Sequence, residues 1–239
     1  MNNMQAIVLA GGRGERLRPY TDDRPKPMIE VGGKPLLDYE LGWLKKNHVT
    51  EIVLSCGYLH KVIQDYFGDG QRWGLDIRYA IEKEKLGRGG GIKFAMQRLS
   101  AGRAPVIVLN GDNVIDIDLP PALAQHAQSG ALVTDILAPL VSSRGIVEVD
   151  ERGRITQFLE KPELPHWINA GIYIFARQVQ DLLPERGDHE DTTFPRLAAQ
   201  GQLYAYKTRQ LWRTVDTAKD ISTLERELKT GQIHAPSLT

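Results

Sequence analysis

A glycine-rich segment near the start of the chain combines residue types that bind phosphate. A short apolar run over residues 5–9 leads into Ala10-Gly11-Gly12-Arg13-Gly14-Glu15-Arg16, and Lys26 follows between two prolines. Glycine lets the main chain approach a ligand closely and direct several N–H groups at one anion. Arg16 and Lys26 could neutralise the negative charge of a phosphate that the backbone N–H groups do not balance. We therefore predict a phosphate-binding loop at residues 10–16, named the phosphate loop below.

Two common nucleotide-binding patterns do not fit this loop. A dinucleotide-binding fingerprint needs a third glycine at the helix entry, where this chain has Leu17. A Walker loop needs Gly-Lys before Ser or Thr, but Gly33-Lys34-Pro35 has proline there, and Met28 stands where the earlier glycine belongs. A plain tight turn remains an alternative for the glycines alone. Arg16 and Lys26 favour phosphate binding, because a structural turn needs no neighbouring cations.

Hydrophobic periodicity predicts the elements that must position this loop. Short Val/Ile/Leu runs alternate with longer amphipathic stretches, which is typical of parallel strands joined by crossover helices. The predicted strands are 5–9, 51–55, 76–81, 106–109, 132–137, 145–149, 155–159, 168–175, 202–207 and 212–215. The predicted helices are 35–46, 59–67, 90–99, 177–183, 192–200 and 218–229, and a hairpin turn is predicted at 150–153. We therefore expect an α/β fold with a mixed, mainly parallel sheet flanked by helices.

The composition of the chain indicates which classes of partner and which cellular compartment to expect. Thirty basic and thirty acidic residues among 239 give a formal net charge of zero, so neither a nucleic-acid nor a membrane partner is predicted. A single cysteine, Cys56, excludes an internal disulfide and favours the cytoplasm. No apolar stretch approaches the roughly 20 residues of a membrane span, and no signal peptide is recognisable. We expect one domain over residues 1–239, in which residues 234–239 are a frayed tail.

One acidic residue is placed for metal binding. Asp112 follows the buried strand predicted at 106–109, at the carboxyl edge of the sheet, where open α/β folds bind ligands. A carboxylate there suits Mg²⁺. The alternative is that Asn110-Gly111-Asp112-Asn113 is only a turn, for which its composition is suitable.

Six motifs follow one another along the chain. They are the opening segment (9–19, 24–28 and 32–36), then 82–91, Leu109-Asn110-Gly111-Asp112, Phe158-Leu159-Glu160-Lys161-Pro162, Asn169-Ala170-Gly171-Ile172-Tyr173 and 212–217. Together they closely resemble the sugar-1-phosphate nucleotidyltransferases, also called NDP-sugar pyrophosphorylases. The resemblance implies the Rossmann-like nucleotide-diphospho-sugar transferase fold with a strand-rich sugar-binding extension. It divides the chain into a nucleotide-binding half at about 1–115, a sugar-phosphate-binding half at about 116–231 and a tail at 232–239.

The resemblance also implies a reaction and a set of site residues. A sugar-phosphate oxygen attacks the α-phosphorus of a nucleoside triphosphate and expels pyrophosphate, with Mg²⁺ as cofactor. The partners are thus the triphosphate and the sugar 1-phosphate, and a homodimer stays open. The matching catalytic residues are Arg16 and Lys26. The matching nucleotide-binding residues are Leu9, Ala10, Gly11, Gly12, Arg13, Gly14, Glu82, Gly87 and Asn110. The matching sugar-phosphate-binding residues are Gly145, Glu160, Lys161 and Asn169, whereas Tyr173 and Phe175 are expected in the core.

The second metal ligand departs from the common family pattern. Most members place an aspartate two residues after the tryptophan that matches Trp212, but this chain has Thr214 there and Asp216 two residues later. A neutral threonine is a poor substitute for a carboxylate on Mg²⁺. Trp-x-x-x-Asp-Thr resembles the glucose-1-phosphate cytidylyltransferase branch, in which the later aspartate binds the metal. The implied ligands are therefore Asp112 and Asp216, and a cap or first-turn role in the helix from 218 is the alternative for Asp216.

Residues 82–91 match the segment that contacts the base. A carboxylate at Glu82 could accept hydrogen bonds from guanine N1–H and N2–H₂, which favours GTP, but uridylyltransferases with an acid here keep UTP open. Arg88 stands where a threonine is commonest. The cytidylyltransferase-like residues 212–217 leave CTP as an alternative. A catalytically inactive nucleotide-sugar-binding regulatory homologue is the alternative from another class, suggested by Thr214. We expect a stand-alone transferase.

Overall fold

Thirteen strands and six α-helices follow one another along residues 4–239, the part of the chain that this computed structural model describes. The strands are β1 (Gln5–Leu9), β2 (Glu30–Val31), β3 (Lys34–Pro35), β4 (Glu51–Cys56), β5 (Asp76–Ile81), β6 (Val106–Asn110), β7 (Asn113–Asp116), β8 (Val133–Val141), β9 (Ile146–Val149), β10 (Ile155–Leu159), β11 (Glu163–Phe175), β12 (Leu203–Lys207) and β13 (Leu211–Thr214). The helices are α1 (Leu36–Lys46), α2 (His60–Phe67), α3 (Gly87–Met96), α4 (Leu119–Ser129), α5 (Thr193–Ala199) and α6 (Ala218–Lys229). None of the helices in residues 4–239 has the length and hydropathy needed to cross a bilayer.

Seven strands form the main sheet in the order β12-β8-β11-β6-β1-β4-β5. The pairs β1–β4, β1–β6, β4–β5 and β12–β8 are parallel, while β11 is antiparallel to both of its neighbours. Three two-stranded sheets, β2–β3, β7–β13 and β9–β10, complete the pairing. This confirms the predicted mixed, mainly parallel sheet, and β9–β10 forms the predicted hairpin.

The central strand β1 is covered on both faces. Ala6 and Val8 belong to one apolar cluster and Ile7 to another, and all three are fully buried. Side chains alternate between the faces of a strand, so a continuous apolar run is what a doubly covered parallel strand requires. Burying one side chain of this size contributes about 1.5–3 kcal/mol. The packing on both faces therefore holds the carboxyl end of β1, where the phosphate loop begins, in a fixed position.

Most predicted elements are present, but β2, β3, β7 and α4 were missed and several boundaries moved. The helix predicted at 177–183 is a 3-10 helix over Arg177–Leu182. The sequence analysis assigns nothing to residues 117–131, where α4 lies. Its first turn carries Pro120 and Pro121, which a helix tolerates there because those N–H groups have no intrahelical partner. Strand β7 was also missed, because it follows the turn after β6 without a change in composition. Helix α3 begins at Gly87 rather than Gly90, so the glycine run lies inside the helix.

The prediction of a frayed tail is wrong. The Leu238 N–H donates to Asp38 Oδ1 at 3.0 Å, and Lys34 Nζ donates to Ser237 Oγ at 2.7 Å. A Cβ placed on Gly42 would lie 2.4 Å from Ser237 Cα, so the tail crosses α1 where that helix has no side chain. These contacts join residues about 200 positions apart in the chain, and local composition carries no signal for them.

One buried carboxyl in the sheet is held without a full set of partners. Asp135 of β8 lies beside Tyr173 of β11 and is 9% exposed. Its Oδ1 has no hydrogen-bond donor among the described residues. Burial raises the pKa of Asp135 to about 8, and the nearby Glu190 adds to the effect. Tyr173 and Phe175 are fully buried, which confirms their predicted place in the core.

The variant Asp135→Asn should raise the midpoint of thermal unfolding, and by more at pH 8 than at pH 5. An acid whose pKa is higher in the folded than in the unfolded protein costs stability as the pH rises from the unfolded value, about 4, towards the folded value, about 8. Asparagine does not titrate, so the difference between wild type and variant should shrink as the pH falls towards 4. Circular dichroism at several pH values measures it, and an equal shift at pH 5 and pH 8 would contradict the raised pKa.

Candidate active site

Two adjoining cavities open at the carboxyl ends of β1, β4 and β6. The larger cavity has a volume of about 770 Å³ and is lined by the phosphate loop, and the smaller one, about 340 Å³, extends past the end of β6. Gly11, Gly12, Lys26 and Glu82 line both. Ligands of open α/β sheets bind at this edge, so the cavities are the candidate active site.

The phosphate loop has a defined shape. Gly14 adopts a left-handed φ of 65°, and a Cβ there would lie 2.9 Å from Thr21 Cγ2. The carbonyl of Gly14 accepts a hydrogen bond from Thr21 Oγ1 at 3.0 Å, and that of Gly12 accepts one from the Lys26 N–H at 3.2 Å. A Cβ on Gly12 would meet no protein atom within 4 Å. Gly14 is therefore required by the turn, whereas Gly12 leaves space for a ligand.

Lys26 lies between two carboxylates. Its Nζ donates to Asp112 Oδ2 at 2.7 Å and to Asp216 Oδ1 at 3.0 Å, and its side chain is only 11% exposed. Burial alone would lower the pKa of Lys26, but Asp112 and Asp216 outweigh burial and raise it. The ammonium therefore stays charged at neutral pH. Arg16 Nη2 donates to Asp216 Oδ1 at 3.1 Å, and its side chain is 80% exposed at the larger cavity.

The neighbours of Asp112 fix its position. The Gly111 N–H donates to the Leu9 carbonyl at 2.9 Å, and a Cβ on Gly111 would lie 2.5 Å from that oxygen. Only glycine lets the chain after β6 pass so close to the end of β1. On the other side, the Asn113 N–H donates to Oε1 of the fully buried Glu40 at 2.8 Å. Sequence analysis missed Glu40, whose signal is an acidic residue within an apolar helix face.

Asp216 is oriented by the residue that replaces the usual family aspartate. Thr214 Oγ1 donates to Asp216 Oδ2 at 2.8 Å. Burial alone would raise the pKa of Asp216, but the hydrogen bonds from Thr214 and Lys26 outweigh burial and lower it. Helix α6 is capped by Thr217, which forms a reciprocal capping box with Asp220. The alternative cap role for Asp216 is therefore filled by its neighbour.

The donor set suits a metal ion that is bound partly by protein side chains and partly by a substrate. No group of three or more His, Cys, Asp or Glu side chains within residues 4–239 could hold an ion by itself. Asp112 and Asp216 nevertheless converge on one cationic atom, Lys26 Nζ. Mg²⁺ is commonly held by one or two carboxylates together with substrate phosphates and water. The two carboxylates fit that mode of binding.

The predicted catalytic, nucleotide and metal residues converge on the cavities with one exception. Those that line at least one cavity are Leu9, Gly11, Gly12, Arg13, Gly14, Arg16, Lys26, Glu82, Gly87, Asn110, Asp112 and Asp216. Ala10 lines neither: its side chain is fully buried and its N–H donates to the Ser55 carbonyl at 2.7 Å. Sequence analysis missed Tyr58, which lines the larger cavity with its ring 5.4 Å from the Arg13 guanidinium. Its signal is its place just after the buried strand β4.

Glu82 already has partners within the protein. Its Oε2 accepts from the Leu86 N–H and its Oε1 from Ser55 Oγ, both at 3.1 Å. A Cβ on Gly91 would lie 2.6 Å from Glu82 Oε1. The carboxylate therefore helps to shape the predicted base-binding loop, and only its remaining lone pairs could accept from a base.

None of the four predicted sugar-phosphate residues lines either of the two cavities, and three of them lie in the exposed β9–β10 hairpin or directly beside it. A Cβ on Gly145 would lie 2.9 Å from Phe158 Cζ and 3.1 Å from Glu160 Oε2, so these residues are neighbours. Lys161 has a positive φ of 46°, which is uncommon for a residue with a side chain and occurs preferentially at functional sites. The hairpin thus groups Gly145, Glu160 and Lys161 with one another but not with the phosphate loop.

Asn169, the fourth, lies nearer to the nucleotide residues. Its Nδ2 donates to the Tyr173 hydroxyl at 2.8 Å, and its Oδ1 accepts from the Gly171 N–H at 2.6 Å. A Cβ on Gly171 would lie 2.4 Å from Asn110 Nδ2. The segment after Asn169 therefore packs directly against a residue of the smaller cavity.

Known proteins resemble this chain over nearly its whole length. The family model described as Nucleotidyl transferase matches residues 5–231. The UTP–glucose-1-phosphate uridylyltransferase of Synechocystis is 35% identical over 96% of this chain and 66% of its own length. The mannose-1-phosphate guanylyltransferase of Mycobacterium tuberculosis is 36% identical over 99% of this chain and 68% of its own length. The chain thus spans about two thirds of the length of these relatives.

Solved structures share the fold. HddC from Yersinia pseudotuberculosis superposes with a TM-score of 0.75 over 95% of this chain and 100% of that chain, at 26% identity. A putative glucose-1-phosphate thymidylyltransferase from Bacillus anthracis gives the same TM-score over 98% of each chain, at 22% identity. These similarities confirm the predicted fold, and the sequence matches confirm the predicted family. The chain belongs to the nucleotidyl transferase family.

Proposed function

We propose that this chain transfers a nucleoside monophosphate from a nucleoside triphosphate to a sugar 1-phosphate. A bond forms between a sugar-phosphate oxygen and the α-phosphorus, and the bond from the α-phosphorus to the bridging oxygen breaks, so that pyrophosphate leaves with the electron pair. The observation that carries the proposal is the ammonium of Lys26, held between Asp112 and Asp216 beside the phosphate loop. The sequence relatives are named for reactions of this kind.

The proposed roles follow from the charges of the reactants. The attacking oxygen is already anionic, so the reaction needs alignment and charge neutralisation more than a general base. The largely buried cation of Lys26 is placed to reduce repulsion between the two reacting phosphates. Arg16, exposed at the larger cavity, is placed to stabilise the pyrophosphate as it leaves. Gly12 leaves room for the triphosphate to approach the loop main chain.

We propose Mg²⁺ as the cofactor, with Asp112 and Asp216 as its protein ligands. Bound there with the triphosphate, the ion would neutralise charge on the phosphate oxygens. Thr214 would keep Asp216 in its orientation, and Glu40 and Gly111 would keep Asp112 at the end of β6.

The proposed base is guanine or uracil. The relatives include a guanylyltransferase and a uridylyltransferase, and Glu82 retains lone pairs at both cavities. CTP is the alternative, favoured by the Trp212-to-Asp216 spacing. An inactive regulatory homologue is the second candidate, motivated by Thr214, although the paired Lys26 and Asp112 argue for an active centre.

The remaining parts of the proposal concern organisation. We propose one domain with a nucleotide-binding half at about 1–115 and a sugar-phosphate-binding half at about 116–231. Gly145, Glu160, Lys161 and Asn169 are the proposed sugar-phosphate residues of the second half. The proposal also includes a cytoplasmic location, a homodimer as the assembly to test, and neither a nucleic-acid nor a membrane partner.

Pyrophosphate release tests the proposed function directly. The protein is incubated with Mg²⁺, each of the four triphosphates and a series of hexose and heptose 1-phosphates. Release that needs both substrates, fastest with GTP or UTP, is the expected result. Silence for every pair, with the fold intact by circular dichroism, would contradict the proposal and favour the regulatory homologue.

Replacing either catalytic cation should lower kcat strongly while the fold survives. Lys26→Ala and Arg16→Ala each remove a charge that stabilises the transition state, for which a loss of about 100- to 1,000-fold is typical. Arg24→Ala is the matched control, because Arg24 pairs with Asp23 and Glu30 away from both cavities. Steady-state pyrophosphate release measures the effect. Losses no larger than that of the control would refute the assigned roles.

Thr214→Val should raise the Mg²⁺ concentration needed for half-maximal turnover. The variant keeps the shape of the side chain but removes the hydroxyl that donates to Asp216. Loss of such a partner behind a ligand typically weakens metal binding or activity by about 10- to 100-fold. Thr214→Ser retains the hydroxyl and should behave like wild type. An unchanged Mg²⁺ dependence in Thr214→Val would remove the orienting role.

A further inference from the structure

The glycine run at the start of α3 lets a distant loop approach that helix. Cβ atoms on Gly87, Gly89 and Gly90 would lie 2.7 Å, 2.8 Å and 2.6 Å from atoms of residues 184–187. The Gly187 N–H donates to the Leu86 carbonyl at 2.7 Å, and the Gly90 N–H donates to the Gly187 carbonyl at 3.2 Å. Residues 184–190, named the clasp loop here, therefore pack against the predicted base-binding segment although they belong to the second half of the chain.

Arg88 is the only non-glycine residue in the run 87–91, and the clasp loop holds it. Its N–H donates to Asp188 Oδ1 at 2.8 Å, and its Nη2 donates to Asp188 Oδ2 at 2.9 Å. Its Nη1 forms an ion pair with Glu190 Oε1 at 2.8 Å. Two carboxylates thus fix the guanidinium in one orientation. A guanidinium has five N–H groups, more than these contacts use.

Arg88 and Asp188 face a ligand site rather than open surface. Both line the smaller cavity, together with Asn110 and Asp112. Their side chains are 46% and 34% exposed. The roles proposed above include neither residue. The guanidinium donor of Arg88 and the carboxylate acceptor of Asp188, which form one wall of the smaller cavity, therefore have no assigned function.

The wall continues towards the proposed sugar residue Asn169. His189 follows Asp188 and is fully buried, with its ring 5.2 Å from that of Tyr173. The hydroxyl of Tyr173 accepts the hydrogen bond from Asn169. Asn110, on the same cavity, packs against Gly171 just after Asn169. Arg88 and Asp188 are thereby joined by packing to the proposed sugar-binding segment.

Building on the proposed function, we propose that Arg88 and Asp188 determine sugar specificity by hydrogen bonding to ring hydroxyls of the sugar 1-phosphate. The guanidinium of Arg88 donates to a hydroxyl oxygen, and the carboxylate of Asp188 accepts from a hydroxyl hydrogen. A fixed donor beside a fixed acceptor suits two neighbouring hydroxyl groups. A deoxy sugar would leave one of these charged groups without its partner. The substrate class is a sugar 1-phosphate that keeps both hydroxyls at that position. The ribose of the nucleotide offers the same chemistry, so the test must separate the two sources.

The test compares kcat/KM for substrates that lack one hydroxyl. The probes are the hexose 1-phosphate that wild type uses fastest, its monodeoxy analogues, and the preferred triphosphate with its 2′-deoxy and 3′-deoxy analogues. The variants are Arg88→Thr, Arg88→Lys and Asp188→Asn. The control is Arg186→Thr, which breaks the exposed pair between Arg186 of the clasp loop and Glu84, just before α3, away from the smaller cavity. Thermal unfolding of each variant verifies that the clasp loop change has not unfolded the protein.

Wild type and the control should discriminate against each of two neighbouring monodeoxy sugars by about 10- to 100-fold, the range for a hydrogen bond to a charged group. In Arg88→Thr and in Asp188→Asn the ratio for the hydroxyl that the replaced residue binds should fall to within about threefold, while the KM for the triphosphate stays the same. If Arg88→Thr does not fold, Arg88→Lys decides, because lysine keeps the charge without the planar fork.

Three results would overturn the inference. Wild type showing no discrimination among the deoxy sugars is one, and discrimination that persists in the folded Arg88 and Asp188 variants is another. The third is a loss of discrimination in these variants that affects only the deoxy triphosphates, which would mean that Arg88 and Asp188 bind the ribose of the nucleotide instead. Turnover by wild type separates these failures from failure of the proposed function. If the proposed function fails, no pair of substrates reacts with wild type, and this inference fails as well.

Discussion

The ammonium of Lys26 between Asp112 and Asp216 is the interaction on which the site depends. It joins three segments that are far apart in sequence: the segment after the phosphate loop, the turn after β6 and the turn after β13. The Lys26 side chain is 11% exposed, and burying a cation to this extent is costly unless it has partners. Its attraction to the neighbouring carboxylates offsets part of the desolvation cost of all three groups. The same charges that hold the segments together are those that phosphoryl transfer needs.

Much of the fold and of the geometry of the candidate site could be predicted from local patterns. The apolar run of β1 is read directly from the sequence because a doubly covered strand needs a continuous run. The phosphate loop is recognisable because Gly14 has a left-handed φ that disfavours other residues, and because Lys26 stands close by in sequence. Asp112 follows from the rule that ligands gather at the carboxyl ends of parallel strands.

The parts that could not be predicted depend on contacts between distant residues. The tail packs on α1 because Gly42 leaves a space that Ser237 fills. The clasp between Arg88 and Asp188 joins residues 100 positions apart, and neither carries a local signal of its partner. Ala10 lies in a motif of nucleotide-binding residues, yet the strand geometry turns it into the core. Sequence patterns locate chemical groups along the chain, whereas the sheet decides which of them face the cavity.

A double-mutant cycle on kcat tests most directly whether Lys26 and Asp216 act as one unit. Pyrophosphate release would be measured for wild type, Lys26→Met, Asp216→Asn and the double variant, all verified as folded. Residues that act as a unit are strongly non-additive, so the double variant should lie within about threefold of the slower single variant. Losses that simply multiply would mean that the two residues act independently, and would contradict the cluster as the centre of the reaction.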